Sequence, residues 1–247
     1  MGVFATGYNC IDISACREKG IVVCNVPDYS THAVSQHAFA LLLSLYGKIN
    51  EYTSSVASGD WVKSETFCYF PWATRELYGK TFGVYGYGSI GRAAAKIAEA
   101  FGMKVIVCTR TIPENCKYEI VSKEEIFKRS DVLSLHCPLT ESTKGLVNER
   151  TLALMKPSAV LVNTARGGLV DEHALASALN EGRLYGACLD TVAEEPMLAD
   201  NPLLGAKNCL ITPHVAWVAH ETRVRLVGIA AENLEMFLKG TPQNIVN

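Results

Sequence analysis

Short apolar runs recur along the second part of the chain and are separated by longer amphipathic segments. Six of these runs have the length and the apolar content of buried strands. Segments with apolar residues three and four positions apart, the spacing of a helix, separate most of them. We predict strands at 81–85, 104–108, 132–135, 159–162, 186–189 and 209–212. Strands that alternate with helices indicate an α/β fold built on a doubly wound, parallel, Rossmann-like sheet.

The first thirty residues have a different pattern, with two short apolar runs around one helix. Residues 3–6 and 21–24 are predicted as buried strands. Residues 12–19 between them are predicted as a short helix that ends at Gly20. The pattern therefore predicts a small α/β unit that begins abruptly, almost at Met1, with nothing before it to cover its edge.

Two longer helices accompany these strands. Segment 31–45 carries apolar residues on one face, and segment 221–239 does the same before ending at Gly240. We expect the apolar face of the second helix to be buried. That face consists of Val224, Val227, Ala231, Leu234 and Leu238.

A polar, irregular segment, 48–78, lies between the first of these helices and the predicted sheet. It is too long for an idle loop of a compact domain. Aromatic residues are interleaved in it, namely Trp61, Phe67, Tyr69, Phe70 and Trp72. Two interpretations stay open: the aromatic side chains pack the segment onto the body of the protein, or the segment is an arm that forms the interface of a homodimer.

Composition and charge exclude several classes of protein. The net charge of −2 leaves no basic surface for nucleic acid or anionic lipid. The longest apolar stretch, 38–46, is too short to span a bilayer. Nine cysteines, an odd number without a C-x-x-C motif, favour a reducing compartment, hence the cytoplasm, and argue against a structural metal.

A glycine-rich turn follows the predicted strand 81–85 and opens a helix. Gly86 permits a tight turn, Gly88 lets the backbone approach a pyrophosphate, and Gly91 lets the helix pack close to the strand. With Ser89 and Ile90, these residues place free N–H groups at the start of a helix, where an anion is favoured. The turn predicts dinucleotide binding, although a glycine-rich turn without a ligand would have the same spacing.

Ligands of open parallel sheets bind beyond the carboxyl ends of the strands, and these ends carry polar or special residues here. They are Thr109, Arg110, His136, Cys137, Pro138, Thr164, Ala165, Arg166, Asp190 and His214. An acidic residue after the second strand would bind the ribose 2′-hydroxyl of NAD. Arg110 stands there instead, and a guanidinium can pair with a 2′-phosphate. We therefore favour NADP over NAD, while an arginine that faces solvent or stacks on adenine would leave NAD in use.

Two of these residues, Arg166 and His214, together with Glu195 have the chemistry of an active site. His214 follows a strand and a proline, which suits a proton donor, and Glu195 in a nearby loop can orient its imidazole. Arg166 lies in a glycine-flanked loop and can bind a carboxylate through two hydrogen bonds. The remaining histidines are interpreted as structural or solvent-exposed, and they include His32, His37, His173 and His220.

Taken together, these motifs resemble those of the D-isomer-specific 2-hydroxyacid dehydrogenases. The resemblance runs over nearly the whole chain, through Gly86–Gly91, His136-Cys137-Pro138, Asn163–Gly168, Asp190 with Glu195-Pro196, and Pro213-His214. It implies hydride transfer between NAD(P)H and a 2-keto or 2-hydroxy acid. It also implies that Arg166 binds and polarises the substrate and that Glu195 supports His214, which protonates the carbonyl oxygen.

The resemblance assigns further residues to the cofactor and the substrate. Thr143, Thr164 and Asp190 are expected in the cofactor site, and Thr6, Gly7, Tyr8 and Trp217 join Arg166 and His214 in the substrate site. It further implies that residues 31–232 form the dinucleotide-binding domain. Residues 1–30 and 233–247 are then a partial, flavodoxin-like substrate domain, which we expect to lack its first β/α units.

Within the family the chain looks most similar to glycerate dehydrogenases, or hydroxypyruvate reductases, on residues such as Trp61 and Trp217. This favours reduction of hydroxypyruvate or glyoxylate to D-glycerate or glycolate. A phosphoglycerate dehydrogenase-like enzyme is one alternative, although no extra basic cluster for a phosphate is evident. A nucleotide-sensing binding protein of the same fold is another.

Overall fold

Seven parallel strands form one sheet in the computed structural model, which describes residues 1–247. The strands are β1 (Thr81–Tyr85), β2 (Lys104–Cys108), β3 (Glu119–Ile120), β4 (Val132–Leu135), β5 (Val160–Asn163), β6 (Gly186–Leu189) and β7 (Cys209–Ile211). Their order is β3-β2-β1-β4-β5-β6-β7, so the chain reverses direction across the sheet between β1 and β4. A crevice at the carboxyl ends of these two strands is the ligand site of such sheets. The predicted doubly wound sheet and its six strands are confirmed. The two-residue edge strand β3 was not predicted because it has no apolar run.

Eight α-helices accompany the sheet. They are α1 (Ile13–Glu18), α2 (Thr31–Gly47), α3 (Ile49–Ala57), α4 (Ser89–Ala100), α5 (Lys123–Arg129), α6 (Glu149–Leu152), α7 (Glu172–Asn180) and α8 (His220–Leu238). Because side chains alternate along a strand, β5 sends Val160 and Val162 to one core with α2 and α4, and Leu161 to the other with α5 and α7. Both faces of the sheet are therefore covered. No helix is long and apolar enough to cross a membrane.

The two strands predicted in the first thirty residues are wrong. Gly2 and Ile245 each form only an isolated bridge to Cys24, and no ladder extends from either. The apolar residues of these runs do pack together, because Val3 and Val23 form a small core with Cys16. The predicted helix between them is confirmed as α1, whose first turn is capped by a hydrogen bond from Ala15 N to the Asp12 side chain.

The buried face predicted for the last helix is also wrong. In α8, Val224, Val227 and Leu234 are between 57% and 60% exposed. The buried face instead carries Leu226 and the polar Asn233, whose amide donates to the Asn25 carbonyl at 2.8 Å. Leu226 packs with Val26 and Tyr29 on this face, and Asn233 is buried with a hydrogen bond, which an apolar pattern does not record.

The segment between α2 and β1 contains a helix that was not predicted, α3, followed by an arm over residues 61–78 that begins with a 3₁₀ helix, Trp61–Lys63. Trp72 packs edge-on against Tyr52 at 5.1 Å between ring centroids, which fastens the arm to α3. In contrast, Phe67 is 90% exposed and Phe70 is 77% exposed. Packing onto the body thus accounts for Trp72 and leaves the side chains of Phe67 and Phe70 mostly exposed.

Candidate active site

The turn between β1 and α4 needs glycine at two positions for steric reasons. A Cβ at Gly86 would lie 2.6 Å from the Cys137 amide nitrogen, and Gly86 also has a φ of +97°. A Cβ at Gly91 would lie 2.1 Å from the Gly86 carbonyl oxygen. Gly88 has open space around it, directly before Ser89 and Ile90 at the start of α4. The turn therefore leaves room for an anion at the helix start, as dinucleotide binding requires.

The end of β4 supplies a wall of neutral side chains next to this turn. The His136 ring bonds to the Ser134 hydroxyl at 2.9 Å, and burial lowers the pKa of His136 to about 4. Burial raises the pKa of the Cys137 thiol to about 11, so this thiol is not a nucleophile. The following loop is closed by Thr143, whose hydroxyl donates to the Pro138 carbonyl at 2.7 Å.

The loop after β5 is held by the last residue of that strand and contains an unpaired buried hydroxyl. Asn163 donates to the Arg166 carbonyl at 2.9 Å and accepts from the Ala165 amide at 3.0 Å. The Thr164 hydroxyl is buried and has no hydrogen-bond partner. A buried polar atom without a partner at the edge of a nucleotide crevice fits a polar group of a bound cofactor.

The residues predicted after β2 follow Cys108, whose carbonyl accepts from the Gly86 amide of the glycine turn at 2.8 Å. The Thr109 hydroxyl donates to the Thr111 carbonyl at 3.2 Å. Arg110 is exposed and makes no ion pair. Its guanidinium is therefore available to a ligand that reaches the end of β2.

Glu195 and His214 are brought together, as the sequence predicts. His214 Nδ1 donates to Glu195 Oε2 at 2.6 Å, and Glu195 Oε1 accepts from the Val192 amide at 3.1 Å. His214 has a φ of +55°, an uncommon conformation for a residue with a side chain. Glu195 therefore fixes the tautomer of the ring, and Nε2 is left for another partner.

Arg166 contacts the amino-terminal unit, residues 1–30, at the loop of Thr6, Gly7 and Tyr8 that was predicted to bind substrate. Arg166 Nη1 donates to the Ala165 carbonyl at 2.7 Å, and a Cβ at Gly7 would lie 1.8 Å from Nη2. The loop itself is fixed by Thr6, whose hydroxyl donates to the Val26 carbonyl at 3.0 Å. The close approach of Gly7 leaves no room for a side chain between this loop and the guanidinium.

Two other residues predicted near the substrate have different surroundings. Tyr8 is exposed, and Trp217 packs against Val26, Tyr29 and Leu226. The position of Trp217 directly follows the loop of His214, but its contacts are those of a packing residue.

Asp190 lies beneath the loop that carries His214. Its buried carboxylate accepts from the Thr212 hydroxyl at 2.6 Å and from the backbone amides of Val215 and Ala216 at 2.9 and 2.8 Å. Burial opposes ionisation, but hydrogen bonds from His37, Thr212 and these amides prevail, and the pKa of Asp190 lies below its ordinary value. The sequence did not point to His37 or Thr212, since a lone histidine or threonine carries no motif.

Most of the chain, including the residues of this site from Gly86 to His214, matches a known family. Residues 39–216 match the family model for the NAD-binding domain of the D-isomer-specific 2-hydroxyacid dehydrogenases. The chain belongs to this family. It is therefore an NAD(P)-dependent oxidoreductase, and the resemblance seen in its motifs is confirmed.

Individual relatives in the family are similar over the whole chain. A hydroxypyruvate reductase of Blautia hydrogenotrophica is 46% identical, and a glycerate dehydrogenase of Methylorubrum extorquens is 43% identical; both matches cover 100% of this chain and 78% of the relative. An NADPH-dependent glyoxylate/hydroxypyruvate reductase from Sinorhizobium meliloti, solved with NADP and malonate, has a TM-score of 0.90 at 34% identity. That match covers 99% of this chain and 76% of the solved one.

Proposed function

We propose that this dehydrogenase reduces a small 2-keto acid, hydroxypyruvate or glyoxylate, to D-glycerate or glycolate. The 2.6 Å hydrogen bond between His214 and Glu195 carries the proposal, because it prepares a proton donor beside the nucleotide crevice. The names of the similar reductases support the substrate class.

His214, Glu195 and Arg166 have separate roles in this proposal. When bound in the crevice, the nicotinamide cofactor would supply a hydride to the carbonyl carbon. His214 Nε2 donates a proton to the carbonyl oxygen, and the Glu195 carboxylate stabilises the imidazolium before that transfer. Arg166 binds the substrate carboxylate through two parallel hydrogen bonds, which orients the carbonyl toward His214.

His214→Asn tests the proton-donor role. Asparagine can keep a donor toward Glu195 but offers no acid in the place of Nε2, so we expect the rate to fall about 10²–10⁴-fold. We expect cofactor affinity, measured by the quenching of protein fluorescence, to be unchanged. His173→Asn is the matched control, because His173 is exposed on α7 and makes no side-chain hydrogen bond.

The same assay distinguishes the alternatives. Turnover with 3-phosphohydroxypyruvate alone would favour a phosphoglycerate dehydrogenase. Cofactor binding without turnover of any 2-keto acid would favour a nucleotide sensor. Undiminished turnover by His214→Asn would remove His214 from the mechanism.

We propose that NADP is preferred over NAD and that Arg110 is responsible. Arg110 is exposed at the end of β2 without an ion pair, where it can bind a 2′-phosphate. Arg110→Ala is expected to lower the ratio of kcat/KM for NADPH to that for NADH. Lys104→Ala makes the same change of charge at the opposite end of β2 and is expected to leave this ratio unchanged. An equal ratio in Arg110→Ala and the parent would refute the role of Arg110.

We propose a homodimer in which the arm of each copy contacts the other copy. A groove of about 800 Å³ between α2 and α4 has an apolar floor that includes Phe39 and Leu43, and Lys96 lies at its rim. The arm offers two exposed phenylalanines, Phe67 and Phe70, and the groove matches them in chemical character. The acidic Glu65 beside Phe67 complements the basic rim.

Phe70→Asp is expected to shift the protein from dimer to monomer in sedimentation velocity, because it buries a charge in the proposed interface. Leu204→Asp is the control, because Leu204 is an exposed apolar residue outside both the arm and the groove, and this variant should leave the dimer intact. A parent protein that sediments as a monomer at micromolar concentration would contradict the proposal.

We propose that residues 31–232 act as the dinucleotide-binding domain and that residues 1–30 and 233–247 belong to the substrate domain. The small core of Val3, Cys16 and Val23 packs with Val246 and supports this division. The second boundary falls inside α8, so the two parts share a continuous helix. Limited proteolysis is expected to cut first near Asp28, which is exposed between α1 and α2.

We propose the cytoplasm as the compartment of the protein, because all nine cysteines are free thiols. Cys10 is exposed and would report on the compartment. A membrane-impermeant thiol reagent added to intact cells is expected to leave Cys10 unmodified, and its modification would contradict the proposal.

A further inference from the structure

The loop that carries His214 is wrapped around one buried carboxylate. His214 donates its backbone N–H to the Asp190 carbonyl at 2.9 Å, while the Asp190 side chain accepts from Val215 and Ala216. These bonds hold His214 in its left-handed conformation, which a residue with a side chain does not favour by itself. The direction of the imidazole therefore depends on how firmly the carboxylate is fixed.

His37 of α2 reaches this carboxylate from the other side. His37 Nε2 lies 2.8 Å from the Thr212 hydroxyl and 3.5 Å from Asp190 Oδ1. The Thr212 hydroxyl has one hydrogen, and it lies 2.6 Å from an ionised carboxylate that can only accept. Thr212 therefore donates to Asp190, and His37 Nε2 must donate to Thr212. The result is one directed chain of hydrogen bonds from α2 to the loop of His214.

We propose that His37 is a positioning residue for the reaction, which acts through Thr212 and Asp190 on the orientation of His214. This inference rests on the proposed function of His214 as proton donor. It gives a role to a histidine that has no sequence motif of its own and lies outside the Glu195–His214 pair.

Loss of the His37 donor should loosen the loop without unfolding the protein. The His37 side chain is 22% exposed, so an apolar replacement leaves no deeply buried charge or cavity. Without His37, the Thr212 hydroxyl loses the donor that orients it, and one of the bonds around Asp190 becomes free to rearrange. A misplacement of a catalytic group by about 1 Å can cost about 10²-fold in rate.

Three variants separate positioning from a general structural effect. His37→Leu removes the donor, and His37→Gln retains an N–H at a similar reach. Thr212→Val removes the hydroxyl between His37 and Asp190 at nearly constant shape. His173→Leu is the control for replacing a histidine at a site without hydrogen bonds.

Steady-state kinetics of hydroxypyruvate reduction by these variants give the first test. We expect His37→Leu to lower kcat about 10- to 100-fold, with the affinity for NADPH unchanged, and His37→Gln to restore most of the loss. Thr212→Val should lower kcat similarly, and the double variant should be no worse than either single one. Unchanged kcat in His37→Leu, or additive losses in the double variant, would overturn the proposal.

A spectroscopic readout does not depend on turnover. The short bond between His214 Nδ1 and Glu195 should give a downfield proton resonance in the parent protein, and we expect His37→Leu to broaden or shift it. An unaltered resonance in His37→Leu would overturn the positioning role. If the parent protein shows the resonance and His37→Leu loses it, but the parent reduces no 2-keto acid, the proposed function fails while the positioning role stands.

Discussion

Gly7→Ala is expected to impair catalysis severely while leaving the fold intact. The new Cβ would lie 1.8 Å from Arg166 Nη2, and the guanidinium must retreat by roughly 1.5 Å to reach an ordinary contact distance. The retreat is inexpensive for stability, because the end of a flexible side chain moves and Gly7 lacks a positive φ. The same retreat impairs catalysis, because the guanidinium N–H groups that bind the substrate carboxylate leave their position.

We expect kcat/KM for hydroxypyruvate to fall about 10²-fold, which corresponds to about 2.7 kcal/mol of transition-state stabilisation. The assay is initial-rate consumption of NADPH, accompanied by the thermal unfolding midpoint and the dissociation constant of NADPH, both of which should stay near the parent values. Gly2→Ala is the matched control in the same unit, since nothing lies within 4 Å of its Cβ. A Gly7→Ala protein with the kcat/KM of the parent would refute the placement of the substrate carboxylate at Arg166.

The remaining predictions concern stability. Asn233→Leu should cost about 1–3 kcal/mol in urea unfolding because it leaves the Asn25 carbonyl buried without its donor, whereas Leu234→Asn on the exposed face of α8 should cost little. Acid should destabilise the protein between about pH 6.5 and pH 4, because His136 is protonated in the unfolded chain there but stays neutral in the native protein, where its pKa is about 4. This effect contributes at most about 3 kcal/mol to the free energy of unfolding, and His136→Gln should flatten that part of the stability curve. Asp190→Asn should lower stability at neutral pH, and the difference should shrink as pH falls through the depressed pKa of the Asp190 carboxyl, where the parent protein loses the same charge.

The sheet was predictable because its strands are buried on both faces and stand out as continuous apolar runs. The edge strand β3 has no such run, and the amino-terminal runs share only single backbone hydrogen bonds, such as that from Val3 N–H to the Cys24 carbonyl at 2.8 Å, which do not extend into a ladder. The orientation of α8 was mispredicted because its buried side combines Leu226, which packs with Val26 and Tyr29, with the hydrogen-bonded Asn233, while the longer apolar stripe stays exposed.

The candidate site likewise contains residues that could be predicted from the sequence and residues that could not. His214 and Glu195 were predicted from their positions after strands and from the family motifs, and the structure brings them within 2.6 Å. His37 lies 175 residues before Thr212 in the sequence, and only the packing of α2 brings the two together. A side chain that acts through a contact of this kind leaves no local signal in a single sequence.

We propose above all that this chain transfers a hydride to a 2-keto acid at the site of Arg166 and His214. The most direct measurement is the reduction of hydroxypyruvate with NADPH that carries deuterium at the transferable position, followed by mass and chiral analysis of the product. We predict D-glycerate with deuterium bound at C2, and about 10²–10⁴-fold less of this product from His214→Asn at matched time. Glycerate without deuterium, the L-isomer, or equal product from both proteins would contradict the claim.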